Sequence, residues 1–326
     1  LDLKVIDVIA DAGHADTVRG IVDQFELLDV WASPPDERGR CYTRILVQPD
    51  KRQQVMDALQ STLGDSDQNR IMIYTPEVVW PVPRESEDKE KPRSTGTTRE
   101  ELYNEIERGA RLNGTYLFLV FLSTIVAAIG LIEDNVAVVI GAMVIAPLLG
   151  PNLALALGSA LGDRELTWRA LKTGISGVFL AFSVSVLIGM FWNGPLYSQE
   201  LMTRTSLGLD SLALALASGL AAALSLTTGL SSVLVGVMVA VALLPPTSTA
   251  GIMLGHGEYS LAVGAGMLLL ANVVCVNLAA KLIFLYKGVR PRTWLEKQKA
   301  RQSFVLYLMI WVISLLILVA IIYARS

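Results

Sequence analysis

Polar and apolar positions divide the chain into two unlike parts. Residues 3–10 (LKVIDVIA) form a short β-branched run closed by Asp11-Ala12-Gly13, and Val18, Ile21, Val22 and Phe25 then recur at helical spacing. Residues 27–32 read as a second strand ended by the turn Ser33-Pro34-Pro35-Asp36, and residues 40–48 alternate like a third. Asp50 is placed to cap a helix carrying Val55, Leu59 and Leu63, before Gly64-Asp65-Ser66-Asp67 turns the chain into a last strand, residues 70–75. The order βαββαβ is that of the ferredoxin-like split unit, expected over residues 1–80. His14, beside Asp16 at the start of the first helix, is either a contact for an effector or a solvated residue of the helix start.

Residues 81–97 mix proline, both charge signs and small polar side chains without apolar periodicity, the pattern of a linker. Thr98 and Glu101 then form a capping box ahead of Leu102, Ile106 and Ala110, which predicts an amphipathic helix over 98–112 on the cytoplasmic face. From there on the pattern is continuous. Apolar stretches recur at about 115–132, 135–161, 166–191, 208–227, 230–254, 260–286 and 303–323, each long enough for a helix to cross a hydrocarbon core. The expected architecture is an α-helical polytopic membrane protein of about seven transmembrane helices behind an N-terminal α+β ferredoxin-like cytoplasmic domain.

Composition agrees: 52% of the 326 residues are hydrophobic and mean hydropathy is +0.49, which excludes an ordinary soluble domain. Arg164, Arg169 and Lys172 fall between the second and third spans, and Lys287, Arg290, Arg292, Lys297, Lys299 and Arg301 between the sixth and seventh; the opposite side offers little beyond Arg204 and Arg325. That positive-inside bias places the N-terminal domain on the cytoplasmic side. Trp168, Trp192 and Trp294 fall at span ends, at the headgroup level. The polar, strand-like start carries no secretory signal pattern, and Cys41 and Cys275 define no disulfide framework. The basic residues lie where topology puts them, so lipid and not nucleic acid is the expected surrounding.

The most informative pattern is internal. GAMVIAPLLGP, residues 141–151, aligns without a gap on GVMVAVALLPP, residues 236–246, at an offset of 95 residues. At the same offset Ser123, Ala127 and Ala128 meet Ser218, Ala222 and Ala223, and Gly162-Asp163 meets Gly257-Glu258. Two copies of three spans, residues 113–207 and 208–286, are expected, followed by a basic loop and a terminal helix over 287–326. An odd number of spans inverts the second copy, the arrangement of secondary transporters with a site near the midplane.

Pro147 and Pro151 in one copy, and Pro245 and Pro246 in the other, break the equivalent spans, because proline removes an amide donor and clashes with the preceding turn. Gly150 adjoins the first break; Asn152 follows it, and Thr247, Ser248 and Thr249 follow the second. If each span is two half-helices, the second halves expose free amides and positive dipole ends beside these side chains, suiting a small anion, a carboxylate or a polar solute. Asn272, Asn277, Ser225 and Thr227 either complete a polar lining or hold helices together. The competing reading is a pair of proline-kinked structural helices whose hydroxyls satisfy their own backbone. Segments that dip in and return would carry Arg164 and Arg169 to the outer face, so full crossings are favoured. Gly158 with Gly162, and Gly251 with Gly255, have the spacing of close helix packing, within the bundle or between protomers of a homo-oligomer.

The region from Thr98 to Tyr286, above all residues 138–151 (VVIGAMVIAPLLGP) and 235–251 (VGVMVAVALLPPTSTAG), resembles a prokaryotic membrane family catalogued as domain of unknown function 389. The resemblance implies a multi-span bacterial or archaeal inner-membrane protein and supplies no substrate. Function is therefore expected from architecture: a transporter-like protein for a small polar or anionic solute, with a passive channel or a ligand-sensing scaffold as alternatives. Glu133, Asp134, Asp163, Asp210 and Glu258 all lie at span ends, which disfavours a carboxylate proton relay and leaves a coupling ion or uniport open. His14 and His256 are the only histidines and no HExxH pattern occurs, so neither an enzyme nor a cofactor or metal is expected.

Overall fold

The structure, a computed structural model, describes residues 3–25, 27–48, 50–64, 66, 68–76, 79, 98–228, 243–289, 309–320 and 322–323. It divides into two compact units, Leu1–Arg99 and Glu100–Ser326.

In the first unit, β1 (Lys4–Asp11), α1 (Ala15–Phe25), β2 (Asp29–Ala32), β3 (Arg40–Val47), α2 (Arg52–Leu63) and β4 (Arg70–Tyr74) follow in that order. The sheet is antiparallel with strand order β2-β3-β1-β4, as the βαββαβ pattern requires. Ile6, Val8, Ile45 and Val47 meet Val18, Ile21, Val55 and Leu59 of the helices in one core. His14 ends a short 3-10 turn ahead of α1, capped by the Asp11 carboxylate, which accepts from Gly13 N at 2.8 Å. The expected Asp50 cap is corrected: the residue before α2 is Lys51, in helical backbone geometry and without a side-chain cap bond.

Because side chains alternate along a strand, Asp7 falls on the sheet face opposite the helices. It is buried, yet charged neighbours reach it: Arg44 donates at 2.9 and 3.0 Å, Tyr42 at 2.5 Å and Tyr74 at 3.0 Å. Burial by itself raises a carboxyl; here the bonds from Arg44, Tyr42 and Tyr74 outweigh it and hold Asp7 below the usual carboxylate value. A carboxyl depressed on folding contributes stability in full above its unfolded value and loses it as pH falls through the folded one. Asp7→Asn is accordingly expected to cost about 1–2 kcal/mol at neutral pH, the lower range because Arg44 is half open to water. In the full chain, amide exchange along β1 should then show little further loss on acidification below pH 4, where the parent loses protection.

The second unit is helical: α3 (Arg99–Gly109, from Glu100 on), α4 (Gly114–Ile132), α5 (Val136–Ile145), α6 (Leu149–Leu161), α7 (Arg164–Phe191), the single turn α8 (Gln199–Met202), α9 (Leu209–Thr228), α10 (Leu244–Gly255), α11 (Tyr259–Tyr286) and α12 (Met309–Ala320). Among the described residues, α4, α7, α9 and α11 are each long and apolar enough to cross a membrane, and α5 with α6 makes a further apolar pair bent by 50°. Their outer faces carry Phe118, Ile175, Phe179 and Phe191, each at least 60% exposed, an apolar surface that water would penalise and lipid does not. This is a membrane-embedded protein. The first part of the predicted span 230–254, and parts of 303–323 and of the basic loop, lie outside the described residues, as do the linker and Trp294.

Helix starts recur along the unit: Gly114 and Leu209, Leu149 and Leu244, Arg164 and Tyr259 are each 95 residues apart. The third helices α7 and α11 end in register too, at Phe191 and Tyr286. Gly162 and Gly257, the glycines of the equivalent tight turns, both hold positive φ, at 72° and 91°, where an L side chain is strained. Gly162 is thus a left-handed helix cap.

The apolar stripe of α3, Leu102 and Ile106, with Ala110 beyond it, is buried in the same cluster as Leu148, Leu149 and Leu153. The apolar face of this amphipathic helix packs on protein. Its last residue, Gly109, lies backbone to backbone against Gly150, and Thr173 donates to the Ala110 carbonyl at 2.8 Å.

Candidate functional site

The first break follows from local chemistry. Ala146 precedes Pro147 and takes the extended conformation (ψ 119°) that a following proline imposes, so α5 stops there and α6 restarts at Leu149. Pro151 sits in the first turn of α6, and Pro245 and Pro246 in the first turn of α10, where a missing N–H costs no helical bond. The starts of α4, α5 and α7 are capped by Asn113, Asn135 and Asp163, whereas those of α6 and α10 have no side-chain cap bond.

Contacts along α7 give direction and height. Leu148 and Pro151 lie against Gly177 and Gly174, and Gly158 against Thr167, so α6 runs antiparallel to α7 along its Arg164 half. Gly251 lies against Phe182 and Ser185, and Gly255 against Val186 and Met190, so α10 runs parallel to α7 along its Phe191 half. Leu244 is two turns, about 10 Å, before Gly251, which brings the start of α10 level with the start of α6. α6 and α10 set out from the middle of α7 and diverge. Their starts share one apolar cluster through Leu148, Leu149, Leu243 and Leu244. Since α10 folds back on α11 through the Gly257 turn, with Met253 packed near Ala262, α7 and α11 run in opposite directions.

Buried polar side chains lie along α6 and α10 and on the helices beside them. Asn277 of α11 donates from Nδ2 to the Asn152 carboxamide oxygen of α6, and to the Val273 carbonyl at 3.0 Å. Both asparagines are buried, and among the described residues Asn152 Nδ2 and Asn277 Oδ1 have no hydrogen-bond partner. On α10, Ser248 and Thr249 are fully buried, as is Ser185 on the adjoining face of α7, and their hydroxyls have no partner among the described residues. Thr247 differs: its hydroxyl donates to the Leu243 carbonyl at 2.7 Å, so at this residue the self-satisfying reading holds. Thr227 likewise bonds its own helix, at the Ala223 carbonyl. Asn272 is buried on α11.

The start of α10 does not present a row of free amides. Proline has no N–H, and the Thr247 N–H reaches the Leu243 carbonyl at 3.4 Å, so side-chain donors carry the polarity at the start of α10. The aligned peptide dipoles remain, each equivalent to about half a positive charge at a helix start.

Lys281 is a further residue of this region that pattern reading passed over. It is fully buried on α11, one turn beyond Asn277, with Nζ 5.8 Å from the ring centre of Trp311 on α12. Among the described residues of this unit it is the one fully buried charged side chain. The signal is present in the sequence, where Lys281 is the lone charge in residues 259–286.

A helical membrane protein with a bent helix pair and buried polar side chains beside it is the class this geometry defines. Residues 143–278 match the family model "Domain of unknown function (DUF389)", a stretch that runs from the first break to one residue past Asn277. The chain is 34% identical over 295 residues to "Uncharacterized protein MJ0678" of Methanocaldococcus jannaschii, covering 90% of this chain and 91% of that one. The chain belongs to the DUF389 family. No solved structure matches it.

Proposed function

We propose that this protein is a transporter of the prokaryotic inner membrane, passing a small polar or anionic solute through the level where α6 and α10 begin, with its N-terminal unit in the cytoplasm. The observation that carries this reading is a pair of uncapped helix starts at one level, flanked along α6, α7, α10 and α11 by buried groups on Asn152, Asn277, Ser248, Thr249 and Ser185 that have no hydrogen-bond partner among the described residues. Buried polar groups in hydrocarbon cost several kcal/mol unless paired, on the order of the protein's whole stability when summed, so a site that retains them is built to receive a partner. The 95-residue recurrence of helix starts and the opposed directions of α7 and α11 support two inverted three-span copies, the arrangement in which one copy can rock against the other around a fixed site.

The test is solute flux. Proteoliposomes carrying the full chain are exposed to gradients of glycerol, urea, potassium formate and potassium nitrate, valinomycin being present for the salts, and swelling is followed by light scattering. At least one solute should enter faster than into protein-free vesicles, and Asn152→Ala and Ser248→Ala should each slow that entry at least tenfold without altering reconstituted yield. Rates equal to those of empty vesicles for every solute, or rates unchanged in both variants, overturn the proposal.

A further inference from the structure

We infer that the N-terminal unit pairs with a second copy of itself through the outer edge of β4, two four-stranded sheets joining into one of eight strands. In the strand order β2-β3-β1-β4, β4 pairs with β1 alone among the described residues, so its other side presents a row of backbone N–H and C=O groups. The two edges of the sheet are unlike. β2 is four residues long, carries the exposed Asp29 and runs into Ser33-Pro34-Pro35, all features that blunt an edge against further pairing. β4 (RIMIY) has no proline, lysine or acidic residue. Among the described residues of this unit the exposed large apolar side chains are Trp31, Met72 and Tyr74, and two of the three stand on β4. The chain leaving β4 turns inward, since Val79 packs with Leu3, Val5 and Leu46.

The sequence of β4 is complementary to itself. Two strands related by a two-fold axis perpendicular to the sheet run antiparallel, and paired residues must share a face, so the axis passes through one residue and its counterpart. Centred on Met72, the middle residue, the register pairs all five positions: Met72 with its counterpart, Ile71 with Ile73, and Arg70 with Tyr74. On the helix side, Ile71 and Ile73 are only partly buried against a core in which Ile6 and Ile45 are fully buried, and pairing continues that core across the junction. On the other face Arg70 meets a Tyr74 ring whose hydroxyl is bonded to Asp7 at 3.0 Å, a cation over a ring already held in place. Each Arg70 has an aromatic partner, and the two arginines stand about 14 Å apart at opposite ends of the pairing.

One pair of strands is a small interface. Copies embedded in one membrane carry their N-terminal units on the same side, at an effective concentration that offsets the small contact.

The experiment uses the full chain in liposomes. Cys41 and Cys275 are buried, so the parent supplies the background for oxidative cross-linking with copper phenanthroline. Met72→Cys should give at least tenfold more disulfide-linked dimer than the parent, and Trp31→Cys, on the opposite edge, no more than the parent. Trp31 and Met72 lie in one row across the sheet, so spin labels on Trp31→Cys in the two copies should be seven strand spacings apart, roughly 30–35 Å. Adding Met72→Lys, which sets two like charges on the axis, should remove that distance. Cross-linking of Met72→Cys at the parent's level, equal cross-linking of Trp31→Cys, or a label distance that Met72→Lys leaves unchanged overturns the inference, whatever the flux measurement gives.

Discussion

Gly251→Leu is expected to remove most of the folded protein from detergent extracts. A Cβ at Gly251 would stand 2.6 Å from Ser185 Cβ, 2.7 Å from the Phe182 carbonyl oxygen and 3.1 Å from the Val186 nitrogen. Two of those three are backbone atoms of α7, which cannot swing aside as a side chain would. Gly255 and Gly189 make the same kind of approach one turn on, so the contact between α7 and α10 is a seam of glycines without room for carbon. Without a hydrophobic driving force between helices in lipid, this closeness is what holds α10 in place. Forcing a side chain into it should cost more than about 3 kcal/mol, beyond the usual range for overpacking. Gly266→Ala is the control: nothing lies within 4 Å of its would-be Cβ, and alanine should leave stability unchanged or raise it by up to about 1 kcal/mol. Size-exclusion profiles after a heating series separate the two outcomes; a Gly251→Leu profile like the parent's would mean that α10 is not held by this seam.

Gly150→Val should be nearly as damaging, and by a different route. Its Cβ would meet the Gly109 carbonyl oxygen at 2.5 Å, the carbonyl carbon at 3.0 Å and Cα at 3.1 Å, so the end of α3 must leave the break. Leu102, Ile106 and Ala110 would be drawn out of the cluster they share with Leu148 and Leu149. The expected result is a fall of several degrees in the unfolding midpoint, with faster amide exchange over residues 102–110. Gly141→Ala, in open space on the preceding half-helix, should change neither.

Much of this architecture is readable from the chain because each piece has a local cause. A short β-branched run declares the strand Lys4–Asp11, alternation declares Arg40–Val47, and an unbroken apolar run declares Gly114–Ile132. Proline before and inside a first turn declares where α6 begins. What was not readable depends on approach between distant segments. Nothing in the sequence around Thr247, Ser248 and Thr249 says which hydroxyl turns back to its own carbonyl, since all three types do so equally well in a helix. The pairing of Asn152 with Asn277 needs α6 and α11 side by side. The amphipathic pattern of α3 is the same whether it meets lipid or protein, and only the glycine at each end of the Gly109–Gly150 contact marks the difference.

The 95-residue recurrence of helix starts sets the few paired positions that differ in relief. Ala156 and Ala160 correspond to Gly251 and Gly255, Phe284 to Gly189, and Lys281 to Val186. Where α10 closes glycine on the backbone of α7, the corresponding pair, α6 and α11, carries an asparagine bridge and a lysine instead. One repeated spacing of helices thus holds two contacts of unlike chemistry, and a substitution tolerated in one has no reason to be tolerated in the other.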